Sequence, residues 1–374
     1  MDIPVVRAQH VIDHIGVLRG AGVPVERELA RSRLPALIEQ TPDAYVSLPR
    51  ALDWAWRSSR EVGIMEVGFL AGRAASLSTL HPDVQRAVIA GPTGRSRIEA
   101  LSKQVHRENS ALTISIRREG VDRRVICEVL GFQNSSFVGF VEWKAIVGVI
   151  NIVRSAAGPD WCPAEMTFVS RGRPPQAALE AYGNARIRTG QRYCSILVEA
   201  TDIAQICIDR RPSFGEVQVP PSPPQTPFDL CDAWDFVTAV RALIRPYLAQ
   251  GHPPLSLMAE IVGMSERSLQ RRLAQCGLTY SDIVKDARFS IASDLLVDSD
   301  LNIADIAFAA GYENAPHFSR AFKRLTGMTP RDYRGASALR INDRFDPVRV
   351  RDHARFFPFG KAPVPRCPSA IPRD

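Results

Sequence analysis

The sequence predicts an α+β domain followed by an all-α domain, and three patterns lead to this prediction. The first 210 residues mix helical apolar stripes with short segments that alternate between apolar and polar residues. Residues 220–227 contain five prolines, which remove backbone hydrogen-bond donors and favour an extended linker. Residues 255–334 contain a diverged repeat in which short apolar helices surround glycine turns.

The chain of 374 residues is longer than one ordinary domain. We expect an α+β domain at 1–210, a proline-rich linker at 211–228, an all-α domain at 229–335 and a basic, proline-rich tail at 336–374. The tail loses apolar periodicity after Arg334. Because it offers little apolar surface to bury, we expect it to be disordered.

Composition excludes several classes of protein. The seven cysteines are odd in number and form no C-x-x-C motif, which predicts reduced thiols and no metal site. No apolar run is long enough to span a membrane, and the N-terminus shows no secretion signal. We therefore expect a cytoplasmic protein with no membrane partner, no metal and no cofactor.

The first domain is predicted to have a helical beginning, a β-hairpin, a long buried helix and a late α/β section. Alternation of Leu112, Ile114 and Ile116 with polar residues, followed by Glu119 and Gly120, indicates the hairpin. The other predicted elements are helices at 11–18, from 48, at 137–156 and around 177–182, and strands at 166–169 and 194–198. We expect Trp54, Trp56 and Trp143 in the core rather than stacked on a ligand.

The formal net charge of +7 permits a polyanionic partner without demonstrating one. The charge does not point to the repeat, because residues 229–335 carry 12 Lys and Arg against 13 Asp and Glu. Within that block, however, acidic residues cluster at 294–305 and basic residues at 320–334. A local positive face is therefore compatible with a domain that is neutral overall.

Each copy of the repeat has a short apolar helix, a turn with glycine and a second helix, which is the helix-turn-helix pattern. The turn glycines, Gly263 and Gly311, lie 48 positions apart, and an alanine precedes each by four residues. Ser265 is expected to cap the second helix of the first copy. A helix at 281–297, roughly 25 Å long, could place the second helices of the two copies near the roughly 34 Å spacing of successive major-groove turns.

Helical spacing divides the second helix of each copy into two faces. Leu269 and Leu273 must face the core, so Arg267, Gln270 and Arg271 share the exposed side. Arginine pairs with guanine and glutamine with adenine at major-groove base edges. In the second copy Phe318 and Phe322 are core, which leaves His317, Ser319, Arg320 and Lys323 near the surface. We expect phosphate contacts from Lys323, Arg324, Arg331 and Arg334.

These residues resemble the AraC/XylS family of bacterial transcription regulators. The resemblance covers about 100 residues of the C-terminal half, and its most specific motif runs from Gly311 to Pro330. It implies double-stranded promoter DNA as partner, contact with RNA polymerase, binding as monomer or homodimer, and base-reading helices at two places: Arg267, Gln270 and Arg271, then Ala315, Pro316, His317, Ser319 and Arg320. Ala315 and Pro316 carry no hydrogen-bonding side chain, so we expect weaker base readout from the second helix.

The first domain resembles the arabinose-binding-like sensor domain of regulators related to those of ornithine utilisation. The helical beginning, Gly68-Phe69-Leu70-Ala71-Gly72, the hairpin, the long helix and the late α/β section occur in the same order. The resemblance implies effector sensing and dimerisation at 1–210. The resulting hypothesis is an activator whose small-molecule effector, such as an amino acid or another catabolite, changes dimer geometry or domain docking.

Several alternatives remain open at this stage. Arg267, Gln270 and Arg271 are also compatible with a plain solvated surface, Arg320 with an ion pair to Asp305, and His317 with a structural role. Cys367 is not expected to act as an alkyl acceptor, since no His or acidic residue surrounds it. The alternative function is an enzyme at 1–210 with an accessory DNA-binding domain, although no catalytic or nucleotide-binding motif occurs there and no catalytic residue is assigned.

Overall fold

The computed structural model describes residues 3–132, 135–204, 234–251 and 253–343. They form an N-terminal unit, which ends with Trp234 and Asp235, and a C-terminal unit that begins at Phe236. The predicted linker at 211–228 and residues 344–374 of the predicted tail lie outside the described residues. No described helix is both long enough and apolar enough to cross a membrane.

The N-terminal unit contains nine described helices and seven described strands, besides short 3-10 turns. The strands are β1 (Val5–Arg7), β2 (Tyr45–Ser47), β3 (Leu112–Glu119), β4 (Asp122–Val129), β5 (Glu165–Thr167), β6 (Arg186–Arg188) and β7 (Cys194–Val198). The helices are α1 (Gln9–Gly20), α2 (Val25–Arg31), α3 (Leu48–Ser58), α4 (Ile64–Ala74), α5 (Pro82–Ala90), α6 (Gly94–Gln104), α7 (Val138–Ala157), α8 (Gln176–Ala181) and α9 (Ala200–Ala204).

Five strands form one mixed sheet with the order β3-β4-β7-β5-β6, in which only β5 and β6 are parallel. The predicted hairpin is confirmed as β3 and β4, with Gly120 in a left-handed conformation (φ 62°) at its turn. The predicted strands at 166–169 and 194–198 correspond to β5 and β7. The helical beginning needs correction, because β1 precedes α1 and pairs with β2 in a separate antiparallel sheet.

Helix α7 is the long buried helix that the sequence predicts, and it packs closely against α4. At Gly68 an added Cβ would lie 2.7 Å from the carbonyl oxygen of Phe140, and at Gly72 it would lie 2.8 Å from Cβ of Val147. Only glycine permits this approach of two helix backbones. The α4 segment that the resemblance singled out therefore serves helix packing.

Two apolar clusters fill the N-terminal unit. The sheet-side core is built around Phe69, Trp143, Ile150 and Ile196, and the N-terminal core around Ile15, Leu18, Trp54 and Val67. Trp54 and Trp143 are fully buried, as expected of core residues. Trp56 is half-buried and packs edge-on against Phe137.

The described C-terminal unit is helical, besides one 3-10 segment at Arg245–Gln250. Its helices are α10 (Phe236–Ile244), α11 (Leu255–Val262), α12 (Glu266–Gln275), α13 (Tyr280–Asp298), α14 (Ile303–Ala309), α15 (Ala315–Thr326) and α16 (Pro330–Asp343). Helix α16 continues past residue 335, where the sequence suggested the domain boundary. Residues such as Ala338, Leu339 and Arg340 favour a helix even without an apolar stripe.

Candidate nucleic-acid interface

The first helix pair, α11 and α12, is joined by a turn whose geometry follows from two residues. Gly263 ends α11 in a left-handed conformation (φ 72°), which glycine adopts at little cost. Ser265 then caps α12, because its side-chain oxygen accepts a hydrogen bond from the backbone N–H of Ser268 at 3.2 Å. The cap predicted from the sequence is therefore confirmed.

Helix α12 presents one buried and one exposed face. Leu269 and Leu273 are fully buried in the C-terminal unit, four residues apart on the same side. Arg267, Gln270 and Arg271 are exposed, and none of the three has a protein partner among the described residues. Their donors and acceptors are therefore available to a ligand outside the unit.

Arg272 shows that the remaining arginine of α12 has a different environment. It is half-buried, and its guanidinium lies over the ring of Phe236 at 4.0 Å from the ring centroid. Phe236 opens α10 and is itself buried. A cation over an aromatic face is attracted by the ring quadrupole, so Arg272 fastens α12 to α10. Helical spacing alone did not reveal this contact.

The second helix pair, α14 and α15, turns at Gly311, which has φ of 78°. A Cβ at Gly311 would lie 2.7 Å from the carbonyl oxygen of Leu248, so both conformation and space require glycine. Asn314 caps α15 by accepting a hydrogen bond from the backbone N–H of His317 at 2.8 Å. This cap is not among the features predicted from the sequence, although an Asn just before Ala315 and Pro316 is a recognisable start signal for a helix.

Helix α15 also has two faces, but its exposed face is less uniform. Phe318 and Phe322 are buried, whereas Pro316, His317 and Arg320 are exposed and Ser319 is half-buried. The His317 ring contacts the Tyr312 ring edge-on, with centroids 5.8 Å apart. Part of the His317 side chain therefore serves packing.

The expected alternative for Arg320, an ion pair with Asp305, is absent from the described part of the chain. A carboxylate oxygen of Asp305 instead accepts a hydrogen bond from the Asn302 amide at 2.6 Å, and its backbone N–H is bound by the Asn302 cap. Arg320 is exposed and has no charged partner among the described side chains. It remains available on the outer face of α15.

The four basic residues assigned to phosphates occupy two environments. Lys323, Arg324 and Arg331 are exposed near the ends of α15 and α16. Arg334 is half-buried, and one of its guanidinium nitrogens donates to the carbonyl oxygen of Leu301 at 2.6 Å. This bond joins α16 to the segment before α14, so Arg334 has fewer donors free than the other three.

Helix α13 separates the two helix pairs within the C-terminal unit. A capping box begins it, in which Thr279 and Asp282 satisfy each other's backbone N–H groups. The hydrogen bonds from Thr279, in its side chain and its backbone, lower the pKa of Asp282, so the cap stays ionised near neutral pH. With 19 residues the helix is about 28 Å long.

Comparisons with known proteins agree with this geometry. A family model described as "Helix-turn-helix domain" matches residues 258–336, which span α12 to α15. The HTH-type transcriptional regulator VirS of Mycobacterium tuberculosis is 25% identical over 350 residues, which cover 88% of this chain and 96% of VirS. The ornithine utilization regulator of Pseudomonas aeruginosa is 37% identical over 84 residues, which cover 22% of this chain and 25% of that protein.

A solved structure is also similar over the C-terminal region. It is an AraC-type DNA-binding regulator of Chromobacterium violaceum, 28% identical, with a TM-score of 0.26, and the match covers 27% of this chain and 91% of that one. The match of the family model at residues 258–336 identifies a helix-turn-helix domain in the C-terminal unit. More particularly, the chain is similar to bacterial transcription regulators of the helix-turn-helix type, and the two relatives named above are regulators.

Proposed function

We propose that Arg267, Gln270 and Arg271 read base edges in the major groove of promoter DNA. The observation that carries this proposal is that all three side chains are exposed, unpaired within the described residues, and placed opposite the buried Leu269 and Leu273. Arginine bonds guanine O6 and N7 together, and glutamine does the same with adenine N6 and N7. Helix α12 is thus the principal specificity element.

The second helix pair acts as a further helix-turn-helix motif in this proposal, with α13 as the spacer. Pro316, His317, Ser319 and Arg320 face the neighbouring major groove, and Arg320 supplies the strongest hydrogen-bonding group of the four. Lys323, Arg324, Arg331 and Arg334 contact phosphates, which fixes the register of both helices on the duplex. Arg334 contributes least, because it already donates to Leu301.

The N-terminal unit is the sensor in this proposal. It binds a small-molecule effector, forms the homodimer contact and changes how the DNA-binding unit engages the promoter, so that RNA polymerase is recruited and transcription rises. Similarity to VirS that extends across both units supports a shared two-part design. Similarity to the ornithine utilization regulator, whose name refers to a metabolite, supports metabolite-linked control as the general class of regulation.

Footprinting of the full chain on the adjacent promoter, at fixed salt, tests the DNA part of the proposal. Arg271→Ala is expected to cost about 1–3 kcal/mol at the best site and to relax the preference at one base pair. Lys285→Ala is the matched control, because Lys285 is an exposed cation on α13 outside the assigned faces. Full affinity and unchanged sequence preference in Arg271→Ala would contradict the role given to α12.

The effector part has a separate test. Metabolites are added to the footprint one at a time, and an effector is expected to change the protected sequence or the concentration needed for protection. A reporter gene under the same promoter then gives the sign of regulation. If transcription fell on effector binding, the activator assignment would be wrong while DNA recognition by α12 would stand.

A further inference from the structure

An apolar cavity of about 150 Å³, partly open to the surface, lies in the N-terminal unit and is lined by residues of both of its cores. The sheet-side core contributes Leu101, Ile114 and Val149 to its wall, and the N-terminal core contributes Val11, Leu52 and Phe140. Helix α7 borders it along a single face. Nearly all of the cavity surface is apolar, although its wall includes polar side chains such as His10, Glu108 and Lys144.

Both formal charges that border the cavity are already compensated by the protein. The Lys144 ammonium donates to the carbonyl oxygen of His10 at 2.8 Å and lies 3.8 Å from the carboxylate of Asp13. Glu108 accepts hydrogen bonds from Arg7 at 3.2 Å and from His10 at 3.0 Å. A charged ligand would therefore find no free counter-ion here, and burying its charge unpaired would be costly.

The two histidines in the wall are also unsuited to an anion. Burial, and then the charge of Lys144, lowers the pKa of His10 and lowers that of His14 further, so both rings are neutral at physiological pH. Each ring uses one nitrogen for a protein hydrogen bond, His10 to Glu108 and His14 to the carbonyl oxygen of His10. The two histidines therefore offer no positive charge to an anionic ligand.

The absence of a side chain at Gly148 contributes to the empty volume of the cavity. Gly148 lies within the 20-residue helix α7 and borders the cavity, and a Cβ at this position would meet no atom within 4 Å. Glycine inside a helix costs about 1 kcal/mol relative to alanine. A Cβ here would therefore point into open space, so packing at the Cβ position does not require glycine.

We propose that this cavity binds a neutral, mainly hydrocarbon molecule about the size of a single aromatic ring. A cavity of about 150 Å³ with apolar walls is known to accommodate benzene. This class excludes amino acids, whose two charges have no partners in the wall. Because both cores share the cavity, an occupant joins them and stabilises the unit as a whole. That the occupant is the effector rests on the proposed function.

Thermal unfolding of the full chain, followed in the N-terminal unit by hydrogen exchange, tests this site with three probes. Toluene is the neutral probe, benzoate adds a carboxylate to the same ring, and L-norleucine is a zwitterion with an apolar side chain. Toluene at ten times its Kd is expected to raise the midpoint temperature of unfolding of the N-terminal unit by roughly 3–6 °C. Benzoate and L-norleucine are expected to leave it unchanged.

A pair of glycine variants locates the binding. Gly148→Leu places a side chain in the cavity and is expected to abolish the toluene shift while the unit stays folded. Gly16→Leu makes the same change on α1, where Gly16 is exposed and has no atom near its Cβ, and should keep the shift. A toluene shift of equal size in Gly148→Leu would overturn the proposal, as would tighter binding of benzoate or L-norleucine than of toluene.

The footprint separates this inference from the proposed function. If a metabolite changed DNA protection equally in the wild type and in Gly148→Leu, effector sensing would stand and the cavity would be excluded as its site. If toluene bound in the manner described but left DNA protection unchanged, the cavity and its ligand class would stand, and the effector role would fail for such ligands.

Discussion

Arg272 lies over Phe236 with its guanidinium 4.0 Å from the ring centroid, whereas its neighbour Arg271 is exposed and unpaired among the described residues. Two consecutive arginines on α12 thus have different tasks. One holds α12 against α10, and the other presents hydrogen-bond donors to the solvent. The difference follows from the 100° step between helical neighbours, which carries one side chain inward.

Arg272→Ala is therefore expected to loosen α12 without changing base preference. The lost cation–π contact is worth about 0.5–2 kcal/mol, so amide exchange in α10 and α12 should accelerate by roughly one order of magnitude. Hydrogen-exchange mass spectrometry of the full chain measures this, with footprinting for base preference. Arg271→Ala is the matched variant and should show the reverse. Wild-type exchange in Arg272→Ala would mean that the stacked arginine does not hold the helix.

The two faces of α12 could be predicted from the sequence because they depend on local spacing. Leu269 and Leu273 lie four residues apart on one side of α12. This spacing alone places Arg267, Gln270 and Arg271 on the opposite side of the helix. The Arg272 contact could not be predicted in this way, since Phe236 lies on another helix far away in the chain. Contacts between distant segments leave no periodic signal.

The same reason explains what was missed in the N-terminal unit. Strands β1, β2 and β6 have three residues each, which is too short for alternation to stand out. The cavity is formed by side chains from α1, α3, α6, β3 and α7, so no single segment of the sequence carries a pattern that predicts it. The eight-residue strands of the hairpin and the 20-residue helix α7 were predictable because their patterns are long.

Lys323→Ala is expected to weaken binding to all DNA sequences alike. A phosphate contact releases condensed counterions, so losing one should reduce the slope of log affinity against log salt by about 1. Fluorescence anisotropy of the full chain with specific and random duplexes, across a salt series, gives this slope. Lys103→Ala removes the same charge from the N-terminal unit, where Lys103 is exposed on α6, and should leave the slope unchanged. A loss confined to the specific duplex would reassign Lys323 to base reading.

Gly311→Ala and Gly263→Ala are expected to differ in cost although both glycines have positive φ. The conformation alone should cost each variant about 1–2 kcal/mol. Gly311→Ala carries an additional clash, because its Cβ would lie 2.7 Å from the carbonyl oxygen of Leu248, whereas Gly263 has no atom within 4 Å. Urea unfolding followed by hydrogen exchange in the C-terminal unit compares the two. Equal midpoints would show that the segment around Leu248 yields to the new methyl group.

The stability of the N-terminal unit is expected to fall as the pH decreases below about 6.5. His14 is 3% exposed and packs against Phe140 with ring centroids 4.5 Å apart. Burial, followed by the nearby charge of Lys144, holds the pKa of His14 well below its ordinary value of 6.5, and burial also lowers the pKa values of His10 and His81. Below pH 6.5 the unfolded chain therefore binds protons that the folded unit does not, and the free energy of unfolding decreases.

Each such histidine contributes a slope of up to about 1.4 kcal/mol per pH unit until its folded pKa is reached. Urea unfolding of the full chain at pH 7.5, 6.5 and 5.5, with hydrogen exchange in the N-terminal unit as readout, measures the total slope. His14→Gln should reduce that slope by up to about 1.4 kcal/mol per pH unit, the contribution of one histidine. His317→Gln, at an exposed position of the other unit, should not alter the slope. An unchanged slope in His14→Gln would mean that His14 takes up its proton equally in the folded and unfolded chain.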